Sequence, residues 1–416
     1  MKDFINNSSI GKFSFLLLSL SLIIGFYFNE ISSGTGAEAD FYNYWPLVLA
    51  LKENFYVPPS DYGTLHLPLH YMILARLNFI ITDEYFLRLF FCLISISVPL
   101  LFYLNLKTKF EYEDQDKLWL LASLVFLFPS FRYSAIWANG HITAFIFFLL
   151  STLFFLKWIK KKDYNQFNTN LILQTIFLSL AVYTRQYYAL IFLYFMFIYF
   201  QKMKFKIFLK ISFFIFILSL PGWFLVYDNP APLRITFSLE LFNSFLINSS
   251  IISFYLIPIF FCLVINNKKI FEKRGKFLVI STTISILLVF LLSSFFDYDY
   301  RNGGGFFLKL SIILLSNHFL FYLTAALGLI CISFLSLEDK NNLILFIIIL
   351  LGFSAYVVYQ KYFEPMIIFI FFLLLSSRLP SEFLKNHKNL FYLYIYVFFY
   401  FISAIINDVL QITRNL

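Results

Sequence analysis

Phe13-Ser14-Phe15-Leu16-Leu17-Leu18-Ser19-Leu20-Ser21-Leu22-Ile23-Ile24-Gly25-Phe26-Tyr27-Phe28 is one apolar run without a charge, and it opens into Glu38-Ala39-Asp40-Phe41-Tyr42-Asn43-Tyr44-Trp45-Pro46. A helix of this length comes close to crossing the roughly 30 Å hydrocarbon core of a bilayer. The two carboxylates therefore arrive at a membrane exit. Next comes Leu65-His66-Leu67-Pro68-Leu69-His70-Tyr71, an amphipathic His/Pro segment. Acidic residues at the end of a span, followed by such a segment, point to chemistry at an outer membrane surface.

The remaining chain repeats the character of the first run. With 60% hydrophobic and 13% charged residues over 416 positions and a mean hydropathy of +0.78, it is far more apolar than a soluble globule, in which about half the residues are apolar. The sequence predicts an all-α, polytopic transmembrane protein. Apolar stretches of roughly 17–25 residues, some of them shorter, fall near 13–29, 86–106, 118–131, 141–157, 169–183, 187–200, 207–227, 245–265, 277–296, 310–335, 342–359, 366–377 and 390–406. That is thirteen spans. The stretch 67–81 is interrupted by Pro68, His70, Arg76 and Asn78, and is predicted to lie in the interface rather than cross. Cys92, Cys262 and Cys331 sit inside apolar runs, where a thiol acts as a small hydrophobe, so no disulfide framework is implied.

Lysine sets the orientation, because cytoplasmic loops collect Lys and Arg. With the N-terminus inside and 67–81 not crossing, the clusters Lys107/Lys109/Lys117, Lys157/Lys160/Lys161/Lys162, Lys202/Lys204/Lys206/Lys210, Lys268/Lys269/Lys273/Arg274/Lys276 and Lys385/Lys388 all fall inside. The C-terminus then lies outside. Ala37-Glu38-Ala39 imitates a cleavage site, but it stands far past the apolar run, so the first span is predicted to stay attached. Arginine behaves oppositely: Arg76, Arg88, Arg132, Arg185, Arg234, Arg301 and Arg414 fall at the outer face. A guanidinium matches phosphate oxygens as a planar fork, which suggests phosphate recognition there. The alternative is snorkelling to lipid headgroups, or pairing with Asp297, Asp299 or Glu364.

No domain boundary, internal repeat, Walker A, GxGxxG or Cys/His metal spacing is present, which excludes a nucleotide-driven pump encoded in one chain. Nothing suggests a nucleic-acid partner.

A first span leading to Glu38-Ala39-Asp40, a long first outer loop (30–85) with an amphipathic Pro-containing segment, a second outer loop from Phe128-Pro129-Ser130 through His141, and thirteen spans with an inside N-terminus together resemble the GT-C superfamily of membrane glycosyltransferases. Tyr183-Thr184-Arg185-Gln186-Tyr187-Tyr188 is similar to the Arg-Gln signature of the dolichyl-phosphate-glucose alpha-1,2-glucosyltransferase branch, and Tyr359-Gln360-Lys361-Tyr362-Phe363-Glu364-Pro365 to the family's last short outer loop. The resemblance implies a catalytic-type module over 1–230, variable helices over 231–416, and a polyprenyl-phosphate-linked sugar as donor. It also implies a multi-pass protein of a bacterial inner membrane, with the active site facing outward. Where the family often has two adjacent acids, Glu38 and Asp40 here are separated by Ala39.

Sugar transfer from a lipid phosphate needs a carboxylate to take the proton of the acceptor hydroxyl and cations to receive the departing phosphate. Asp40 is the candidate base and Glu38 its substitute, while Asp40 is equally of the type that caps a helix starting at Phe41. Arg185, His66, His70, Arg132, His141, Arg301 and Lys361 are the candidate substrate-binding residues. An unpaired Arg185 between two spans costs on the order of 3 kcal/mol, so it should meet either donor phosphate or an acidic side chain. Arg132, Asn139 and His141 share the second outer loop. His66 and His70 have the i, i+4 spacing of a metal pair, yet Pro68 lies between them and no third ligand is evident, so no metal site is assigned. Gly303-Gly304-Gly305 allows either close approach of a ligand or a flexible turn. No cofactor is called for, and a role for a divalent metal stays open. The expected activity is inverting transfer from a polyprenyl phosphate to a lipid, glycan or protein acceptor. A polysaccharide polymerase should place its arginines in a large mid-chain outer loop, and a lipid-linked-glycan flippase should show mid-span charges and repeat symmetry. Neither pattern is present.

Overall fold

The computed structural model describes residues 10–30, 36–54, 57–58, 66–162, 164–230, 240–266, 271–272, 274–353 and 357–415. Arg234, Lys268, Lys269 and Lys273 lie outside them. All regular structure among the described residues is helical. Helix starts are written in side chains that accept from the orphan amides of the first turn. Asp83 accepts from Phe86 N at 3.0 Å, Asn168 from Leu171 N at 3.1 Å and Asp339 from Asn341 N at 2.8 Å.

Eight helices among the described residues are long and apolar enough to cross a membrane, or up to ten if each of two bent pairs counts as one span. The bends fall where the sequence predicts straight spans. Within 118–131 the chain turns by 68° at Phe128, because Pro129 disfavours a helical conformation at the residue before it. Within 360–385 it turns by 97° between Leu374 and Leu379. The predicted span 310–335 is two helices, Gly305–Leu315 and Phe319–Ser336, broken where Ser316 takes a left-handed φ of 52°. The predicted spans 169–183, 187–200 and 342–359 are helices of 16, 14 and 13 residues. Leu69–Ile80 has 12 residues, about 18 Å at 1.5 Å per residue, too short to cross.

The chain forms two compact units, one of Met1–Phe192, Tyr199–Leu233 and Tyr394–Leu416, the other of Leu193–Ile198 and Arg234–Leu393. In the first, Gly140–Lys161 lies along both Thr169–Thr184 and Ser97–Lys109, while Ile10–Tyr27 packs on Gln115–Ser123 and Gly36–Glu53 on Leu69–Ile80. In the second, Leu241–Asn266 packs against Phe319–Ser336, Lys340–Gly352 and Gly305–Leu315. Gly328 permits one close approach, since a Cβ there would stand 2.0 Å from the Ser249 carbonyl oxygen. Small residues at such contacts let helix backbones meet without a hydrophobic driving force.

Candidate functional site

The site is built on the turn that precedes Gly140–Lys161. Ala138 holds a left-handed φ of 44°, a conformation that side chains other than glycine adopt at a cost. Its carbonyl oxygen accepts from the Tyr44 hydroxyl at 2.7 Å and from His70 Nε2 at 2.8 Å. Because a carbonyl only accepts, Nε2 must carry a proton; the Thr143 hydroxyl then donates to Nδ1 at 2.9 Å. Burial, followed by the nearby Arg185 charge, pushes His70 down to about 3, which keeps the ring neutral in this arrangement. With both nitrogens engaged, His70 is unavailable as half of a metal pair with His66.

The next residue ties two elements together. Asn139 Oδ1 caps the helix by accepting from His141 N at 3.2 Å and also accepts from Arg185 Nη2 at 2.6 Å, while Nδ2 donates to Asp40 Oδ2 at 3.4 Å. One amide thus bridges a carboxylate and a guanidinium. Asp40 lies inside the helix Gly36–Glu53 and is not its N-cap, which removes the capping role that the sequence left open. Arg185 closes the helix Thr169–Thr184 in an extended conformation and is only 5% exposed. Its Nε is buried without a hydrogen-bond partner, and it enters no ion pair among the described residues. The turn that follows brings Gln186 Oε1 to 3.5 Å from His66 Nδ1 and the Tyr187 hydroxyl to 3.2 Å from His141 Nδ1.

Asp40, Arg185, His66, His70 and His141 therefore belong to one neighbourhood. Glu38, on the same helix, bears with Glu84 and Arg88 on Tyr42, whose phenol is raised first by burial and then by Glu84. Burial likewise raises Tyr44 well above its usual value of 10, with Tyr71 and Asp40 adding to the effect. Arg88, not chosen as a site residue from the sequence, stacks 3.6 Å from the Trp137 ring and donates Nε to the Ile136 carbonyl at 3.3 Å, bracing the same turn.

Arg132, predicted to bind substrate, is held by partners within its own unit. Its Nε and Nη2 meet Glu30 at 2.7 and 2.5 Å, Nη1 donates to Ser21 Oγ and the Phe126 carbonyl, and Nη2 also donates to the Ser21 carbonyl. All five N–H groups are used inside the protein.

In the second unit, Arg301 is 79% exposed beside Asp299 at 3.9 Å, and Lys361 stands 5.0 Å from the Tyr359 ring. The glycine run meets its own chain: Gly304 N donates to the Val358 carbonyl at 2.8 Å, and a Cβ on Gly303, at φ 119°, would stand 2.6 Å from that oxygen. Here close backbone approach serves packing. Buried Glu364 accepts from the Tyr255 hydroxyl at 2.7 Å.

Among the described residues no group of three or more His, Cys, Asp or Glu side chains is placed to hold a metal ion. No protein-family model matches this chain, and no curated protein and no solved structure matches it.

Proposed function

We propose that this chain is an inverting membrane glycosyltransferase of the GT-C type, moving a sugar from a polyprenyl-phosphate donor to an acceptor at the outer face of a bacterial inner membrane, with thirteen spans and an outside C-terminus. The observation that carries this is the Asp40–Asn139–Arg185 bridge, with Arg185 buried and lacking an acidic partner among the described residues. A buried guanidinium without a counter-ion is costly. A donor phosphate supplies the missing charge.

In that mechanism the acceptor hydroxyl loses its proton to Asp40 as its oxygen forms the new bond to the sugar's anomeric carbon. The bond from that carbon to the phosphate oxygen breaks, and both its electrons leave with the phosphate, which Arg185 receives. No general acid is needed, because the departing phosphate is already a stable anion. Asn139 aligns the two charges, and neutral His70 with Tyr44 holds the turn that aims Asn139.

The test is transfer by purified protein from a panel of radiolabelled polyprenyl-phosphate sugars. Label should move to an extractable acceptor without any nucleotide sugar. Failure with every donor, together with movement of a lipid-linked glycan across proteoliposomes, would replace this proposal with transport. Orientation is tested separately: a reporter active only in the periplasm should be active after Leu416, and one active only in the cytoplasm silent.

A further inference from the structure

At the far end of the helix Gly140–Lys161, whose first residues build the Asn139 turn, the first unit contains a cavity of about 810 Å³. On this helix the cavity is lined from Leu153 to Lys161, so at 1.5 Å per residue it begins about 20 Å from the Asn139 turn and ends about 30 Å from it. The lining joins two chemistries. Leu104, Leu118 and Leu153 form an apolar wall, while Lys107, Lys157, Lys160 and Lys161 share the rim with Glu111 and Glu113. Four lysines against two glutamates leave a net charge of +2, and Glu111 is taken up by its ion pair with Lys160.

The location decides among anions. Two helices long and apolar enough to cross a membrane, Glu84–Lys109 and Gly140–Lys161, end at this cavity, and each carries lysines in its last turn. Such ends lie at the level of lipid headgroups. A free phosphate would leave the leucine wall unused, and a zwitterionic lipid would leave the lysine excess uncompensated. We infer that this cavity is a binding site for an anionic phospholipid, with its phosphodiester among Lys107, Lys157 and Lys161 and the start of an acyl chain against Leu104, Leu118 and Leu153. Basic pockets between membrane helices recognise anionic headgroups through charges of this kind.

The test uses the full-length protein in phosphatidylcholine nanodiscs, titrated with phosphatidylglycerol and read by native mass spectrometry. Saturable binding of phosphatidylglycerol is expected, weakened at least about tenfold in the triple variant Lys107→Gln/Lys157→Gln/Lys161→Gln and unchanged in the control Lys202→Gln/Lys204→Gln/Lys206→Gln. Equal loss in both variants, or equal retention of phosphatidylcholine, would overturn the site. Inorganic phosphate displacing the lipid at millimolar concentration would show a free-anion site instead and overturn the lipid assignment. Should the triple variant fail to fold, photoactivatable phosphatidylglycerol on the wild-type protein decides. Label within 104–118 and 153–161 supports the site, and label confined to other segments refutes it.

Discussion

Arg132 and Arg185 are two buried guanidiniums of the same unit, 2% and 5% exposed, and they are provided for in opposite ways. Arg132 meets a carboxylate with two nitrogens and spends its other donors on Ser21 and Phe126. Among the described residues Arg185 has a 2.6 Å bond to a neutral amide and a buried Nε with no partner. Since an isolated buried charge is unfavourable, the first arrangement is complete, and the second is the one that the proposed donor phosphate would complete. From the sequence both arginines are candidate substrate-binding residues at the outer face, with Arg185 the one expected to meet donor phosphate. Satisfaction of their donors separates them.

The largest effect should fall on the carboxylate at the other end of the Asn139 bridge. Asp40→Asn keeps shape and hydrogen bonding but takes no proton, so transfer should fall about 10²–10⁴-fold while donor binding and thermal stability stay close to wild type. Glu38→Gln should retain most activity, because Asp40 alone of the two is bonded to Asn139. Loss of turnover in Glu38→Gln with normal turnover in Asp40→Asn would move the base by two residues and break the contrast at its catalytic end.

The arginines themselves come next, and they should fail differently. Arg185→Lys keeps the charge and loses the planar fork, so donor binding and transfer should drop by roughly 10²-fold, about the size of losing one preorganised donor, with unfolding unchanged. Arg132→Ala leaves Glu30 without its partner and should cost about 3–5 kcal/mol of stability, measured by unfolding in detergent. Activity per folded molecule should remain. Replacing both partners, as Arg132→Met with Glu30→Leu, should recover much of that stability. If Arg185→Lys unfolds the protein and Arg132→Ala merely slows it, the assignments are reversed.

Why the two arginines look alike in the sequence is a matter of distance along the chain. Glu30 is 102 positions from Arg132, and Asn139 is 99 from Asp40 and 46 from Arg185. Hydropathy is a local property, so the helical membrane class and most apolar helices are visible without any such pairing. Breaks inside apolar runs are not. Ser316-Asn317-His318 interrupts 310–335 through backbone geometry, and Pro129 marks a bend without giving its direction. Asn139 was visible as an outer-loop polar residue, but its centrality comes from neighbours that only the fold supplies.

The smallest effect tests the support beneath the bridge. His70, on a helix too short to cross the membrane, is held near a pKa of about 3 by burial and by Arg185, against about 6.5 when unfolded. Between those values the unfolded chain binds a proton that the folded protein refuses. The contribution of neutral His70 is therefore full above pH 6.5 and is lost as pH falls toward 3, with a limiting slope of about 1.4 kcal/mol per pH unit. Unfolding measured from pH 7.5 down to 4.5 should show this loss, and His70→Asn should flatten the slope, since it removes the titrating ring. A flattened slope with an unchanged acid limb in the transfer rate keeps His70 in a supporting role. If His70→Asn instead abolishes an acid limb near pH 6.5, the ring titrates in the folded protein, and the turn carrying Asn139 rests on a charged histidine rather than a neutral one.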